Sequence, residues 1–369
     1  MTGVTRQARR VRVTAEWHGG GPIKAPTIHD VAAAAGVSKS TVSNVVRGAE
    51  DVSEVTRARV QEAIARLNYK PNAIARQFVQ QRTTMLGVLV GDLSNPYYAQ
   101  MAQVVERAAF GHGYTTMFCN IEAAGEPPLT GVEALLEHRV AGIVFLAFIA
   151  RTAELDEALQ RAGIPIVFLG LSERWGDSVG PRDRRGGALA AEHLLALGHR
   201  RIAYVRTPLV EASGDRARHD GFRAALRRAG VPALPVRAWT PGADAISVAR
   251  ESRDLRAALR GPEAPTALFV SNDIGAVALI EACERLGLVV PDDLSVVGFD
   301  DIALAGLQRI SLTTVAQPLD AQAQRAVELL LERIQDPWLD PRHENADVEL
   351  RVRGSTAPPR SRRRKGAGS

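Results

Sequence analysis

The stretch Thr27-Ile-His-Asp-Val-Ala-Ala-Ala-Ala-Gly-Val-Ser-Lys-Ser-Thr-Val-Ser-Asn-Val-Val46 decides the reading of this 369-residue chain. Thr27, with Asp30 three residues on, makes a capping-box-like helix start, and the acid sits favourably in the first turn. Ile28, Val31, Ala32 and Ala35 then fall on one apolar face. Gly36 ends that helix, since the residue past a helix often needs a positive φ. Ser38 can cap a second helix, whose Val42, Val45 and Val46 point inward while Lys39, Ser40, Thr41, Ser43 and Asn44 point out. A third helix starts at Ser53 and carries Val55, Val60, Ile64 and Leu67 at core spacing. Two short helices joined at a glycine, the second polar outside, match the helix-turn-helix arrangement. Such a helix can bring short polar side chains to base edges in the major groove. The pattern alone also fits a three-helix structural domain with a solvated face.

Charge supports the first of these readings. The net charge of +5 is unevenly spread: residues 1–26 carry +4, residues 27–82 carry +3, residues 351–369 carry +7, and the remainder carries −9. Basic ends on an acidic body suggest a polyanion as partner. Cys119 and Cys283 stand 164 residues apart, without metal-ligand spacing, and read as reduced thiols in apolar surroundings. Arg6, Arg9, Arg10 and Arg12 interrupt any secretory h-region. No apolar run approaches the ~18 residues a membrane span needs. A cytoplasmic protein with no membrane contact is therefore expected.

Beyond Arg82 the texture changes. Short apolar runs at 86–90, 141–146, 164–169, 201–205, 267–270 and 294–299 alternate with amphipathic stretches at 98–111, 129–138, 186–197, 221–229 and 274–286. Alternation of this kind implies βαβ units and a parallel sheet with helices on both faces. Its length favours two lobes. Catalytic motifs are missing: there is no Gly-x-Ser-x-Gly, His-Glu-x-x-His, Walker loop or dinucleotide fingerprint, so neither an enzyme nor a cofactor is expected. His193 and His199 bracket a helix end and read as satisfied or capping residues.

At this point a family resemblance becomes specific. It is carried by Thr27-Ile-His-Asp-Val-Ala, Ala35-Gly-Val-Ser-Lys-Ser-Thr-Val-Ser43, Leu67-Asn-Tyr-Lys-Pro-Asn72, Gly87-Val-Leu-Val-Gly-Asp-Leu-Ser-Asn-Pro96, Ser271-Asn-Asp273, Val297-Gly-Phe-Asp-Asp301 and Leu312-Thr-Thr-Val315 with Gln317-Pro318. Over residues 27–353 the chain closely resembles the lac repressor/galactose repressor (LacI/GalR) family of bacterial transcriptional regulators. The resemblance implies a small all-α helix-turn-helix headpiece plus hinge helix, followed by a two-lobed α/β periplasmic-binding-protein-like core with parallel sheets. The boundaries that follow are a disordered basic extension at 1–26 and a DNA-binding domain at 27–70. A hinge helix and linker occupy 71–84, an effector-binding and dimerisation core 85–353, and a disordered basic tail 354–369. A homodimer on a pseudo-palindromic double-stranded DNA operator is implied, because two inverted half-sites take one recognition helix each. No leucine heptad follows Arg353, so nothing beyond a dimer is expected.

Site residues carry over by position. Lys39 and Ser40 are the chief base readers, with Ser43 and Asn44 on the same face. Thr27, His29, Ser38, Thr41, Tyr69 and Asn72 match positions that touch phosphate or flank the groove. Ala75 lets two hinge helices approach in a minor groove, and Phe78 stands where the family inserts a leucine wedge, a task an aromatic ring can also perform. The expected effector residues are Asp92, Tyr97, Arg218, Asn272 and Asp300, at strand ends where two-lobed α/β proteins bind ligand. An arginine, an amide and a carboxylate suit a small polyhydroxylated effector such as a carbohydrate. Gly170 replaces an aspartate, and Ala243 an aromatic, that many relatives use for sugars; Trp175 offers a substitute stacking surface. The same residues have plainer readings: Asp300 or Asp301 as a helix cap, Arg218 as an intramolecular ion pair, Tyr97 as helix-start packing. For the core alone the alternative is a periplasmic-type solute-binding protein without a DNA-binding role.

Overall fold

Local capping chemistry builds the first unit. The computed structural model describes residues 26–47, 49, 51–69, 83–121, 128–146, 152–170, 176–206, 213–235, 237–238, 256–259 and 263–360. Helix α1 (Ile28–Ala35) opens with a reciprocal capping box between Thr27 and Asp30 and closes at Gly36, at φ 64°. Helices α2 (Lys39–Arg47) and α3 (Glu54–Leu67) follow. Val31, Ala32, Ala35, Val42, Val45, Val60 and Ala63 form their common core. One expected core residue is misplaced: Val55 is 73 % exposed. Five residues before Val60 it lies roughly 140° around the helix from that residue, and the half-buried Thr56 takes the inner position.

The second unit, from Thr83 onward, holds two six-stranded sheets. The first has the order β11-β5-β4-β3-β1-β2, built from β1 (Met85–Val90), β2 (Thr115–Asn120), β3 (Ile143–Leu146), β4 (Ile166–Leu169), β5 (Asp177–Pro181) and β11 (His343–Ala346). The second has the order β12-β10-β9-β8-β6-β7, from β6 (Ile202–Arg206), β7 (Arg237–Ala238), β8 (Ala267–Val270), β9 (Ser295–Asp300), β10 (Thr313–Ala316) and β12 (Glu349–Arg351). Every pairing is parallel except β12 on β10.

Strand alternation divides the packing of the first lobe. Leu86, Val88 and Val90 face helices α4 (Pro96–Gly111) and α10 (Leu319–Gln335), whereas Leu89 faces the cluster shared by α5 (Pro128–Glu137) and α6 (Ala153–Ala162). In the second lobe α7 (Asp183–Ala196) and α8 (Ser213–Arg228) cover one face, and α9 (Asp273–Arg285) covers the other. Helices α7 and α8 touch backbone to backbone. A Cβ on Gly187 would meet the Arg218 carbonyl oxygen at 1.9 Å, and one on Gly221 the Arg184 carbonyl oxygen at 1.8 Å. Only glycine permits that approach.

Residues 354–360, expected to belong to a disordered tail, are packed against the second lobe. Ser355 Oγ donates to the Val296 carbonyl at 2.6 Å, and His199 Nε2 donates to the Ala357 carbonyl at 2.9 Å. Arg360 pairs with Asp292 and Asp293. Residues 355–360 thus form a strap along β9 that satisfies backbone groups an unattached tail would leave open. No helix among the described residues is long and apolar enough to cross a membrane.

Candidate nucleic-acid interface and ligand cleft

On the headpiece the predicted reading residues gather at two helix starts. Ser38 Oγ accepts from the Thr41 amide at 3.1 Å and lies 2.7 Å from Ser40 Oγ and 2.8 Å from Thr41 Oγ1. This cap fixes the first turn of α2, from which Lys39 and Ser40 project into solvent; His29 is exposed on α1. Ser43 and Asn44 follow on α2, half-buried. The ring of Tyr69, expected at phosphate, packs half-buried against the headpiece core. Its neighbour Asn68 closes α3 in the left-handed region, at φ 49°. Asn72, Ala75 and Phe78 lie outside the described residues.

In the core, the close approach of α7 and α8 sets Arg218 against Asp183, Nε to Oδ1 at 2.7 Å. Arg218 also donates to the Ser271 carbonyl at 2.7 Å, stands 3.9 Å from Asp300 and stacks 3.6 Å above the Phe299 ring. The intramolecular ion pair is therefore real, and Arg218 is a buried post rather than a free hand. Asp300 holds φ 121° and accepts from Gln317 Nε2 at 2.7 Å. Neither Asp300 nor Asp301 caps the following 3₁₀ turn, which has no side-chain cap; Asp301 pairs with Arg351 and Arg353.

Tyr97 joins the two lobes, since its ring packs against the apolar clusters of both. A side chain on Gly170 would reach the Tyr97 hydroxyl at 2.6 Å, so the glycine leaves room for that hydroxyl. Burial, and then the Asp300 carboxyl, push the Tyr97 phenol far above its ordinary range. Burial outweighs the pull of Arg218 on Asp300 and raises its carboxyl to about 8, with Asp273 adding repulsion. Burial lifts Asp273 to about 6, against hydrogen bonds from Thr314 and the Ile302 amide.

The structure thus brings together three of the five predicted effector residues: Tyr97, Arg218 and Asp300. Asn272 adjoins them through Ser271, but its side chain caps α9 by accepting from the Gly275 amide at 2.9 Å. Asp92 turns back on Ser94, whose amide and hydroxyl both donate to it at 2.8 Å. Asp183 and Gln317 were not among the predicted site residues. An acid in the first turn of a helix ordinarily reads as dipole compensation, which conceals Asp183 in the sequence. Trp175 and Ala243 lie outside the described residues.

Residues 27–72 match the model of bacterial regulatory proteins of the lacI family, and residues 191–356 match a periplasmic binding protein-like domain. The ribose operon repressor of Escherichia coli (strain K12) is 35% identical over 331 residues, covering 89% of this chain and 99% of that protein. The chain belongs to the lacI family. The HTH-type transcriptional repressor PurR of Aliivibrio salmonicida (strain LFI1238) is 35% identical over 316 residues, covering 84% of this chain and 92% of that protein. Among solved structures, a lac repressor dimer bound to operator and an anti-inducer superposes with a TM-score of 0.76 at 30% identity, covering 90% of this chain and all of that one. A ribose-bound lacI-family regulator from Enterococcus faecium gives 0.64 at 29% identity, covering 75% of this chain and all of that one. As a lacI-family member the chain is a DNA-binding transcriptional regulator. The solute-binding alternative accounts for the core and leaves residues 27–72 without a purpose.

Proposed function

We propose that this protein is a cytoplasmic repressor that binds a pseudo-palindromic operator as a homodimer and changes its grip when an uncharged small molecule, a sugar or close relative, enters the inter-lobe cleft. The observation that carries the effector half is the convergence of Arg218, Asp183, Asp300 and Gln317 from the second lobe on Tyr97, which contacts both lobes. A ligand held there differs in its contacts between open and closed lobes, and only such a difference shifts a population. Coupling of ~1–3 kcal/mol would change operator affinity ~5–150-fold.

Lys39 and Ser40 read bases, with Ser43 and Asn44 beside them; Asn44 suits an adenine edge. Thr27, His29, Ser38, Thr41, Tyr69 and Asn72 are assigned to phosphate or the groove flank, Ala75 and Phe78 to the minor groove, and Asn272 and Asp92 to the cleft rim. Self-association is supported by Phe110, 71 % exposed on α4, and Phe118 on the sheet-edge strand β2. The relatives are repressors, and a catalytic role is not part of this reading. The test is selection of random duplex DNA on the purified protein, followed by titration against salt. An inverted-repeat consensus with a steep salt slope supports the reading. A folded dimer that enriches no sequence, with or without a metabolite pool, overturns it.

A further inference from the structure

Helix α10 runs antiparallel to the strands it covers, and three rungs fix its register. Near its end, Leu330 lies 2.8 Å from where a Cβ on Gly142 would stand, just before β3 begins. Arg333 grips Asp177, the first residue of β5, at 2.7 Å. Just over two helix turns earlier, Arg325 grips Glu344 at 2.8 Å, and Glu344 is paired in register with Val179 in the middle of β5. Extrapolated back eight residues from Leu330, about 12 Å, Gln322 comes level with the carboxyl ends of β3 and β4. Those ends carry Gly170 and the Tyr97 hydroxyl.

Gln322 is fully buried, and neither atom of its amide has a hydrogen-bond partner among the described residues. Gln317, five residues earlier, is also buried; its Nε2 serves Asp300 while its Oε1 has no partner among the described residues. Buried polar side-chain atoms nearly always find partners, so two such orphans on the same crossover ask for an external one.

The geometry points to a polar floor in the ligand cleft, where the Gln322 amide and Gln317 Oε1 hold the hydroxyl groups of an uncharged polyhydroxylated ligand. This rests on the effector reading above. An amide offers two donors and an acceptor without charge, which fits hydroxyls that donate and accept. Among the described residues, the charges that meet Tyr97 are also already matched or suppressed, leaving none for an ionic ligand. Arg218 is matched by Asp183 at 2.7 Å, and the Asp300 carboxyl stays protonated up to about pH 8.

The test is calorimetric binding to the full-length protein, with D-ribose, D-xylose, D-glucose, D-fructose, ribose 5-phosphate and hypoxanthine as probes. Wild type is expected to bind a neutral sugar and to ignore the phosphate. Gln322→Met is expected to weaken that sugar about tenfold and, by removing an orphan amide, to raise the ligand-free Tm by about 2 °C or more. Gln322→Leu is the second apolar variant should Met fail to fold. Sugar binding by the folded variant at wild-type strength overturns the proposal. So does a wild type that takes only the phosphate or the base, or none of the probes. Operator binding by wild type is read separately by mobility shift, and its absence would count against the regulator reading instead.

Discussion

The DNA-reading face and the ligand cleft are built in opposite ways. On the headpiece the proposed base readers sit within two turns of one helix, Lys39 and Ser40 are exposed, and Ser38 fixes their start by a local cap. In the cleft the groups come from residues 97 to 322, are largely buried, and hold one another before any ligand arrives. A surface reader can lose a side chain and keep its fold. A buried, charged clamp cannot.

The comparison can be broken most sharply at Arg218. Arg218→Met would leave the Asp183 and Asp300 carboxyls buried without their cation, and removing one partner of a buried pair costs about 3–5 kcal/mol. Urea denaturation should show that loss; an unchanged midpoint would mean the cleft is as forgiving as the surface. Lys39→Ala should leave the urea midpoint in place and cost about 1–3 kcal/mol in binding to the selected operator, read by mobility shift against single-base variants. Equal losses on every DNA sequence would make Lys39 a phosphate contact.

A smaller effect comes from pH. Because the folded Asp300 carboxyl is raised to about 8 and the unfolded one titrates near 3.9, its contribution is complete below about pH 4. It drains away as pH rises through 8. Tm should therefore fall from pH 5 to pH 9, and Asp300→Asn, neutral in both states, should flatten that decline. The histidines beneath the strap run the other way. Burial lowers His193 and His199, so their contribution is present above about 6.5 and is lost as pH falls below it. Trypsin should release the tail faster at pH 5.5 than at pH 7.5 once corrected for its own pH profile. The smallest effect is expected from Thr27→Ala, which removes the α1 capping box and costs the headpiece about 1 kcal/mol; loss of helical signal on heating reports it.

How much was legible follows from the same contrast. The headpiece could be read because caps, glycine and valine spacing act within a few residues; Val55 misled because apolar character alone does not fix a helix face. Strands β1, β3, β4, β6, β8 and β9 announced themselves as apolar runs. β5, Asp177-Ser-Val-Gly-Pro181, did not: Asp177 is fully buried because Arg333 and the Arg342 amide, more than 150 residues away, neutralise and satisfy it. Arg218 and Asp300 could be placed by resemblance, but Asp183 depends on a helix crossing that Gly187 and the distant Gly221 together permit. Asp92 and Asn272 show the converse, since residue type suggested ligand contact while local turn and cap geometry already employs both side chains.

The two sheets also differ in how their strands are ordered along the chain. The first lobe borrows α10 and β11 from beyond residue 318, after the chain has made nearly all of the second. On the ribosome this lobe starts to emerge before the second and is completed only after most of the second has been made. For well over a hundred residues of synthesis, β5 lacks its outer neighbour, and the sheet face behind Leu86, Val88 and Val90 lacks the helix that closes it. Arg333 reaches Asp177 only after most of the second lobe has been made, so the lobe nearer the headpiece in sequence depends for its last contacts on a segment that follows most of the other lobe.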